Sequence, residues 1–327
     1  MNSGISIVDK LFSCPVCMSE LIRMRDNLFC SQCNIKFEMK EGIYCLLPPH
    51  LDSYDCEQED VFNKVHSGYD EYLNKHPFYT LIRDNYVLPY WFKDDFRGKA
   101  VLDLGCGTGW ATSAILQKEP FLTNLDISSG NLKFTKGKLG EDRATYVHAD
   151  MKHLPFLKES FDIITCFWAM HHISDPMQAV KEIKRVLKKD GLFLGIEPNI
   201  RYTWVEFWSD TLRLPPYLKK KLIGLHKIAQ RYTGKRLEKE EYYMKGITLR
   251  HDHHGGLIDI AGYQRIFSDL SFDFEFKPVG LEFVPPRFFM SRNKSLVKNL
   301  LETSDRWIRT FKKSDKAHFN IIKARKI

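Results

Sequence analysis

Four of the eight cysteines are spaced for a single metal ion. They fall as Cys14-Pro-Val-Cys17 and Cys30-Ser-Gln-Cys33 with twelve residues between the pairs. Each C-x-x-C turn presents two thiolates to one tetrahedral ion, and Leu21, Leu28 and Phe29 suit a hairpin joining the turns. The pattern predicts a structural Zn2+ ribbon over residues 1–47, with sulfur in all four positions and none left open for chemistry. Disulfides are the alternative, but nothing in the sequence points to an oxidising compartment. A second set lies mid-chain, where Gly105-Cys106-Gly107-Thr108-Gly109 follows the apolar run Ala100–Leu104. A glycine turn between strand and helix lets backbone N–H groups approach a ligand closely. The nicotinamide fingerprint has glycine at the sixth position, where this chain has Trp110. Asp126, 21 residues after Gly105, stands where a carboxylate can accept hydrogen bonds from ribose hydroxyls.

Candidate acid–base groups are more scattered. His171 and His172 follow a strand near the same end of the sheet, where they are either structural or a base for a hydroxyl or protonated amine. Glu197, ending the next strand, could position an acceptor. The run Arg250-His251-Asp252-His253-His254-Gly255-Gly256 reads as a loop. There His253 and His254 could bind an acceptor or move a proton. A metal site is less favoured, because consecutive side chains diverge, and a plain polar loop is the remaining reading.

Positioning these groups requires alternating strands and helices. Strands are predicted at Ala100–Leu104, Phe121–Leu125, Ala144–Ala149, Phe161–Cys166 and Leu192–Ile196. A helix runs from a Ser174 or Asp175 cap with Pro176 in its first turn. Met177, Val180, Ile183 and Leu187 form its apolar stripe, Lys188 and Lys189 suit its C-terminal end, and Gly191 stops it. This alternation predicts an α/β, doubly wound and mostly parallel sheet with its ligand crevice at the carboxyl ends of the strands. Residues 48–60, with Pro48, Pro49 and an acidic run, read as a linker, and aromatic-rich helices follow from Val61 to Phe96.

The series VLDLGCGTG, LDIS, AD, LPF…SFDIITC…HHISDP and EIKRVLKKDGLFL, over roughly residues 97–200, resembles the class I S-adenosylmethionine-dependent methyltransferases, most of all their ubiquinone-biosynthesis-type subgroup. The resemblance implies a Rossmann-like seven-stranded sheet spanning residues 61–327, with the last two strands at Phe272–Phe283 and His318–Lys326. It leaves 200–271 and 286–316 as helical cap insertions. It implies S-adenosyl-L-methionine as cofactor, with Asp103, Gly105, Gly107 and Gly109 around the methionine moiety and Asp126 on the ribose. Asp150 and Met151 would flank the adenine, and Phe167 would begin the segment beside the sulfonium. Asn124 departs from the glycine that often precedes the acid. Trp110, Phe167 and Trp168 are candidate faces for the sulfonium charge.

Charge and composition bound the partners. With 43% hydrophobic and 28% charged residues the chain is ordinary for a globular protein. Its apolar runs reach about half the ~20 residues of a membrane span, and no signal segment opens it, so a cytoplasmic protein is expected. The net charge of +8 is uneven: −5 over residues 1–60, +1 over 61–198 and +12 over 199–327. The expected activity is methyl transfer to O or N of a small-molecule or lipid-linked acceptor, with peripheral membrane contact through basic amphipathic helices as an extension. The alternative is a zinc-ribbon-containing rRNA or tRNA base methyltransferase. It gains from the basic C-terminal third and loses from the acidic ribbon.

Overall fold

The computed structural model describes residues 11–24, 27–198, 215–218, 220–222, 225, 260–279, 291–311, 317 and 319–327. His253, His254 and most of the first predicted cap, 200–271, lie outside the described residues.

The buried strands form where the apolar runs predict. In chain order they are β1 (Ile22–Met24), β2 (Asn27–Cys30), β3 (Ile35–Lys40), β4 (Ile43–Cys45), β5 (Ala100–Leu104), β6 (Phe121–Asp126), β7 (Thr145–His148), β8 (Phe161–Phe167), β9 (Leu187–Pro198), β10 (Phe272–Val279) and β11 (Phe319–Lys326). They join in the order β1-β2-β3-β4-β7-β6-β5-β8-β9-β11-β10. The seven strands from β7 to β10 are those expected, and β7, β6, β5, β8 and β9 run parallel. Two features correct the expectation of a mostly parallel seven-stranded sheet. β11 enters antiparallel between β9 and β10, and the cysteine-bearing hairpins β1–β4 extend the other edge, giving a mixed sheet of eleven strands. β4 lies parallel beside β7, with Tyr44 opposite Val147, so the sheet edge that would otherwise be open is covered.

The helices are α1 (Ser53–Lys75), α2 (Pro77–Ile82), α3 (Leu88–Trp91), α4 (Thr112–Leu116), α5 (Ser129–Leu139), α6 (Pro176–Val186), α7 (Ile260–Asp269) and α8 (Lys294–Phe311). The stretch read as a linker is helical from Ser53. Asp52 caps α1 by accepting from the Asp55 N–H at 2.8 Å, so the acidic run is a first helical turn carrying the charge that a helix N-terminus favours. α6 is capped by Asp175, which accepts from Gln178 N. It ends at Val186, earlier than predicted. Leu187 turns extended and pairs with Phe161, so Lys188 and Lys189 lie in a strand. Of the second predicted cap, 286–316, the described part is α8, whose Val297, Leu300 and Leu301 pack in a core with Phe78 and Ile82 of α2.

Apolar clusters fill both faces of the sheet. One joins Leu104, Ile164 and Phe193 to Ile183 of α6 and Phe267 of α7, and continues into Phe12, Leu28 and Phe37 of the cysteine-bearing segment. The other joins Val101 and Ile163 to Trp91, Ile115 and Val297. Among the described residues no helix is long and apolar enough to cross a membrane. Phe156 ties the N-terminal strands to the sheet, since its ring lies 5.6 Å from Phe12 and 4.9 Å from Phe161. Phe156→Ala should cost about 3–5 kcal/mol in urea unfolding. The wild type should unfold in a single transition, and a separate early phase would show that the ribbon folds independently.

Candidate active site

At the carboxyl ends of β5, β6, β7 and β8 lies an open cavity, walled on its far side by α1. β5 delivers Asp103, which is buried and accepts from Thr112 Oγ1 at 2.6 Å and Thr165 Oγ1 at 2.8 Å. Burial pushes its pKa up to about 6 against those two hydrogen bonds.

The three loop glycines all have positive φ, +62°, +54° and +70° for Gly105, Gly107 and Gly109. Their reasons differ. A Cβ on Gly105 would stand 2.4 Å from the Ala169 Cβ, so this glycine allows the β5 and β8 loops to touch. Gly107 borders the cavity, and among the described residues no atom lies nearer than 4.0 Å to where its Cβ would stand. Gly109 is not part of the wall. A Cβ there would press on Thr135 Cγ2 at 2.8 Å, so it serves helix packing against α5.

Asp126 ends β6 and lines the cavity. Its Oδ2 accepts from Gly107 N and its Oδ1 from Ser128 N, both at 2.8 Å. It therefore holds the glycine loop and the start of α5 together. Burial raises its pKa against the Ser128 and Gly107 amides. Each carboxylate oxygen has two lone pairs, so acceptor capacity remains for a ligand. Asp150 and Met151 follow β7 and also line the cavity. Asp150 accepts from Lys152 N at 2.8 Å, and its Oδ2 lies 2.9 Å from His153 Nδ1.

The opposite end is aromatic. Phe167 and Trp168 close β8, and Trp110 faces them, with ring centroids at 5.5 Å (Trp110–Phe167) and 5.9 Å (Trp110–Trp168). Trp168 has φ +55°, a strained value for a residue with a Cβ, and among the described residues its buried indole N–H has no hydrogen-bond partner.

The predicted acid–base group divides. His172 lines the cavity, edge-on to Phe62 at 5.2 Å. Glu197 does not, which corrects its expected place in the crevice. It is 0% exposed and accepts from Met170 N at 2.9 Å and His171 N at 3.2 Å, with His171 Nδ1 at 2.7 Å. His171 is thus held by Glu197, and its ring lies 3.9 Å from that of His172.

Asp55, Gln58 and Leu73, missed by sequence reasoning, and the aromatics Phe62 and Tyr69 share one face of α1. Asp55, Gln58, Phe62, Tyr69 and Leu73 line the cavity at spacings of 3, 4, 7 and 4, one face of a helix. The spacing was readable from Phe62 onward, while the acidic start concealed the first two. α1 is tied to each cavity loop. Asn63 Oδ1 accepts from Ser128 Oγ and Gly130 N, both at 2.8 Å. Asp70 accepts from Thr108 Oγ1 at 3.0 Å. Lys152 Nζ lies 2.6 Å from Asp52 Oδ2 and also contacts Asp55.

The Cys14, Cys17, Cys30 and Cys33 sulfurs all lie within 4.8 Å of one another, with Cys17–Cys30 at 3.5 Å and Cys14–Cys33 at 4.0 Å. These separations exceed the ~2.05 Å of a disulfide. They match the about 3.8 Å between sulfurs around one tetrahedral ion with ~2.3 Å bonds. The donor set fits a metal ion.

Residues 102–195, from β5 into β9, match the family model described as "Methyltransferase domain". Over those residues the chain is similar to that family. The demethylmenaquinone methyltransferase of Clavibacter sepedonicus is 36% identical over 95 residues, 29% of this chain and 39% of that protein. The ubiquinone biosynthesis O-methyltransferase of Haemophilus ducreyi is 30% identical over 156 residues, 44% of this chain and 65% of that protein. The chain thus spans less than two thirds of each relative. The YcgJ protein structure from Bacillus subtilis covers 74% of this chain and 98% of its own, at 21% identity and TM-score 0.43. The matched methyltransferase segment holds Asp103, Asp126, Asp150, Phe167 and His172. It excludes α1, Glu197 and the four clustered cysteines.

Two predictions follow from this geometry. Gly105→Ala should lower the thermal unfolding midpoint more than Gly107→Ala, which carries only backbone strain of about 1–2 kcal/mol. Adding Ala169→Gly should return part of the Gly105→Ala loss, and no rescue would contradict the close approach. The second concerns His148, whose Nε2 lies 2.8 Å from Ile127 O and 3.2 Å from Glu59 Oε1. Burial opposes its charge, but Cys45, Glu59 and the Ile127 carbonyl outweigh burial and raise its pKa to about 9. A raised histidine contributes stability fully below its ordinary value near 6.5, and that contribution fades as pH rises through 9. The urea midpoint should therefore fall between pH 6.5 and 9.5, and less steeply in His148→Gln; equal slopes would contradict the charged pair.

Proposed function

We propose that the chain is an S-adenosyl-L-methionine-dependent methyltransferase acting on O or N of a small-molecule or lipid-linked acceptor. The observation that carries this reading is the order of groups along one cavity: aromatic rings after β5 and β8, the Asp126 carboxylate at β6, and Asp150 with Met151 after β7. A sulfonium is favoured against aromatic faces, a ribose diol on a carboxylate, and a base beyond it. When bound, S-adenosylmethionine supplies a methyl carbon activated by sulfonium charge.

The protein's own work is positioning. Holding an acceptor atom within ~3–3.5 Å of that carbon and in line can contribute on the order of 7–11 kcal/mol. Phe167, Trp168 and Trp110 exclude water at that end. His172 is the side chain placed to take a proton from a hydroxyl or ammonium acceptor. Glu197 and His171 orient it as positioning residues, through the backbone of the turn that carries it. Residue placement supports a separate, structural task for Cys14, Cys17, Cys30 and Cys33, which would hold Zn2+ with no position open. The quinone-related names of two relatives favour an aromatic or isoprenoid-linked acceptor.

Calorimetry with S-adenosylhomocysteine tests the reading. Wild type should bind, and Asp126→Ala should bind about 10- to 100-fold more weakly, the cost of a hydrogen bond to a charged group. Unchanged affinity would remove the ribose role from Asp126. The purified chain should also carry one zinc that chelation removes, with loss of thermal stability. Metal-free protein of equal stability would contradict the Zn2+ assignment.

A further inference from the structure

We propose that the cysteine cluster and the donor cavity are coupled sites. An ion held by Cys14, Cys17, Cys30 and Cys33 tightens donor binding, and the donor in turn tightens the ion, through the bridge between Phe12 and Phe156. This rests on the zinc and cofactor readings above. None of the four cysteines is part of the cavity wall, so the influence has to pass through the fold.

The path is short and mostly backbone. Cys14 N donates to Ser19 O at 2.8 Å, and Cys14 O accepts from Met18 N at 2.9 Å. The residues just before it pair antiparallel with the chain after β7. Leu157 N donates to Leu11 O at 2.7 Å, Ser13 N donates to Pro155 O at 3.0 Å, and Phe12 stands opposite Phe156 between them. Phe12 is buried, with its ring 4.7 Å from that of Tyr44 on β4. Phe156 lies at the far end of the loop that begins with Asp150 and Met151, both in the cavity wall. Within that loop Lys152 N donates to Asp150 Oδ1, and the Lys152 ammonium holds Asp52 and Asp55 at the start of α1. A parallel route leaves β4. Leu46 N donates to His148 O at 2.8 Å, and His148 Nε2 lies 2.8 Å from the carbonyl of Ile127, another wall residue.

The ion decides how firmly this path is held. Strands β1, β2 and β4 have only three or four residues each, and units this small draw folding energy from the metal they bind. Without the ion, Phe12 and Ser13 lose the fixed knuckle at Cys14, and the bridge to Pro155–Leu157 undocks for part of the time. The loop keeps a second anchor on α6, where Leu154 N donates to Glu182 Oε2 at 2.9 Å and Arg185 Nη1 donates to Phe156 O at 2.6 Å. The cavity wall therefore loosens without collapsing, which sets the expected coupling at about tenfold. Coupling of two binding sites is reciprocal, so a donor that requires the docked loop raises the affinity for the ion by the same factor.

The test measures each ligand on the full chain in the presence and absence of the other. Calorimetry gives the affinity for S-adenosylhomocysteine of zinc-loaded and metal-free protein. Chelator competition gives the affinity for zinc with and without saturating S-adenosylhomocysteine. Each ligand should tighten the other about tenfold. Thermal unfolding checks the fold, and if the metal-free chain unfolds, slower zinc release in the presence of S-adenosylhomocysteine carries the test. In Phe12→Ala each ligand should still bind alone, while the mutual gain falls to about twofold or less. Phe156→Leu alters the bridge from its other side and serves if Phe12→Ala is unstable. A general stabilisation of the fold by S-adenosylhomocysteine would instead persist in both variants, and an undiminished gain there would overturn the bridge. Equal S-adenosylhomocysteine affinity in folded zinc-loaded and metal-free protein would overturn the coupling and leave both earlier readings intact. A chain that takes up no zinc would overturn the zinc assignment, one that binds no S-adenosylhomocysteine the cofactor reading, and the coupling would fall with either.

Discussion

A buried carboxylate with half its acceptor capacity spent on backbone amides is the constraint on which this architecture depends. Asp126 sits where β6 ends, takes one N–H from the glycine loop and one from the cap of α5, and so fixes the floor of the cavity. Burying that charge is costly, and a chain gains nothing in stability that apolar packing would not give better. Its two backbone amide bonds and a longer one from Asn131 Nδ2 at 3.4 Å offset part of the cost, and acceptor capacity is left toward the cavity. Asp103 repeats the device one strand away with two threonine hydroxyls as donors. The central strands thus carry acids at the ends where a ligand enters and apolar side chains elsewhere.

Around this floor the N-terminal region does more than append a module. β4 pairs with β7, Phe12 packs on Phe156, and α1 crosses the cavity while bonded to the loops after β5, β6 and β7. These ties give the cavity a far wall that the matched segment lacks. Conversely Glu197, at the end of β9, acts at a distance: it grips the turn that carries His171 and His172 and never reaches the cavity.

Sequence legibility follows how local each cause is. The buried parallel strands were readable because both their faces are apolar, and the glycine turn because only glycine tolerates its backbone. α1 was obscured because its first turn is acidic. Asp55 is held by Lys152, 97 residues further on, a contact that no helical period encodes. The early end of α6 was hidden for a like reason, since Leu187 leaves the helix to pair with Phe161 in a neighbouring strand. Gly109 and Glu197 had the right residue types in the right motif, but their partners, Thr135 and His171, assign them to packing and positioning. The joining of the cysteine hairpins to the sheet depends on the β4–β7 pairing, whose strands lie about a hundred residues apart.

The central claim, that this cavity is the berth of a sulfonium donor, is tested most directly by equilibrium dialysis with radiolabelled S-adenosylmethionine. The account predicts retention approaching one donor per folded chain, competed away by unlabelled S-adenosylhomocysteine. Folded protein that retains no label would contradict it.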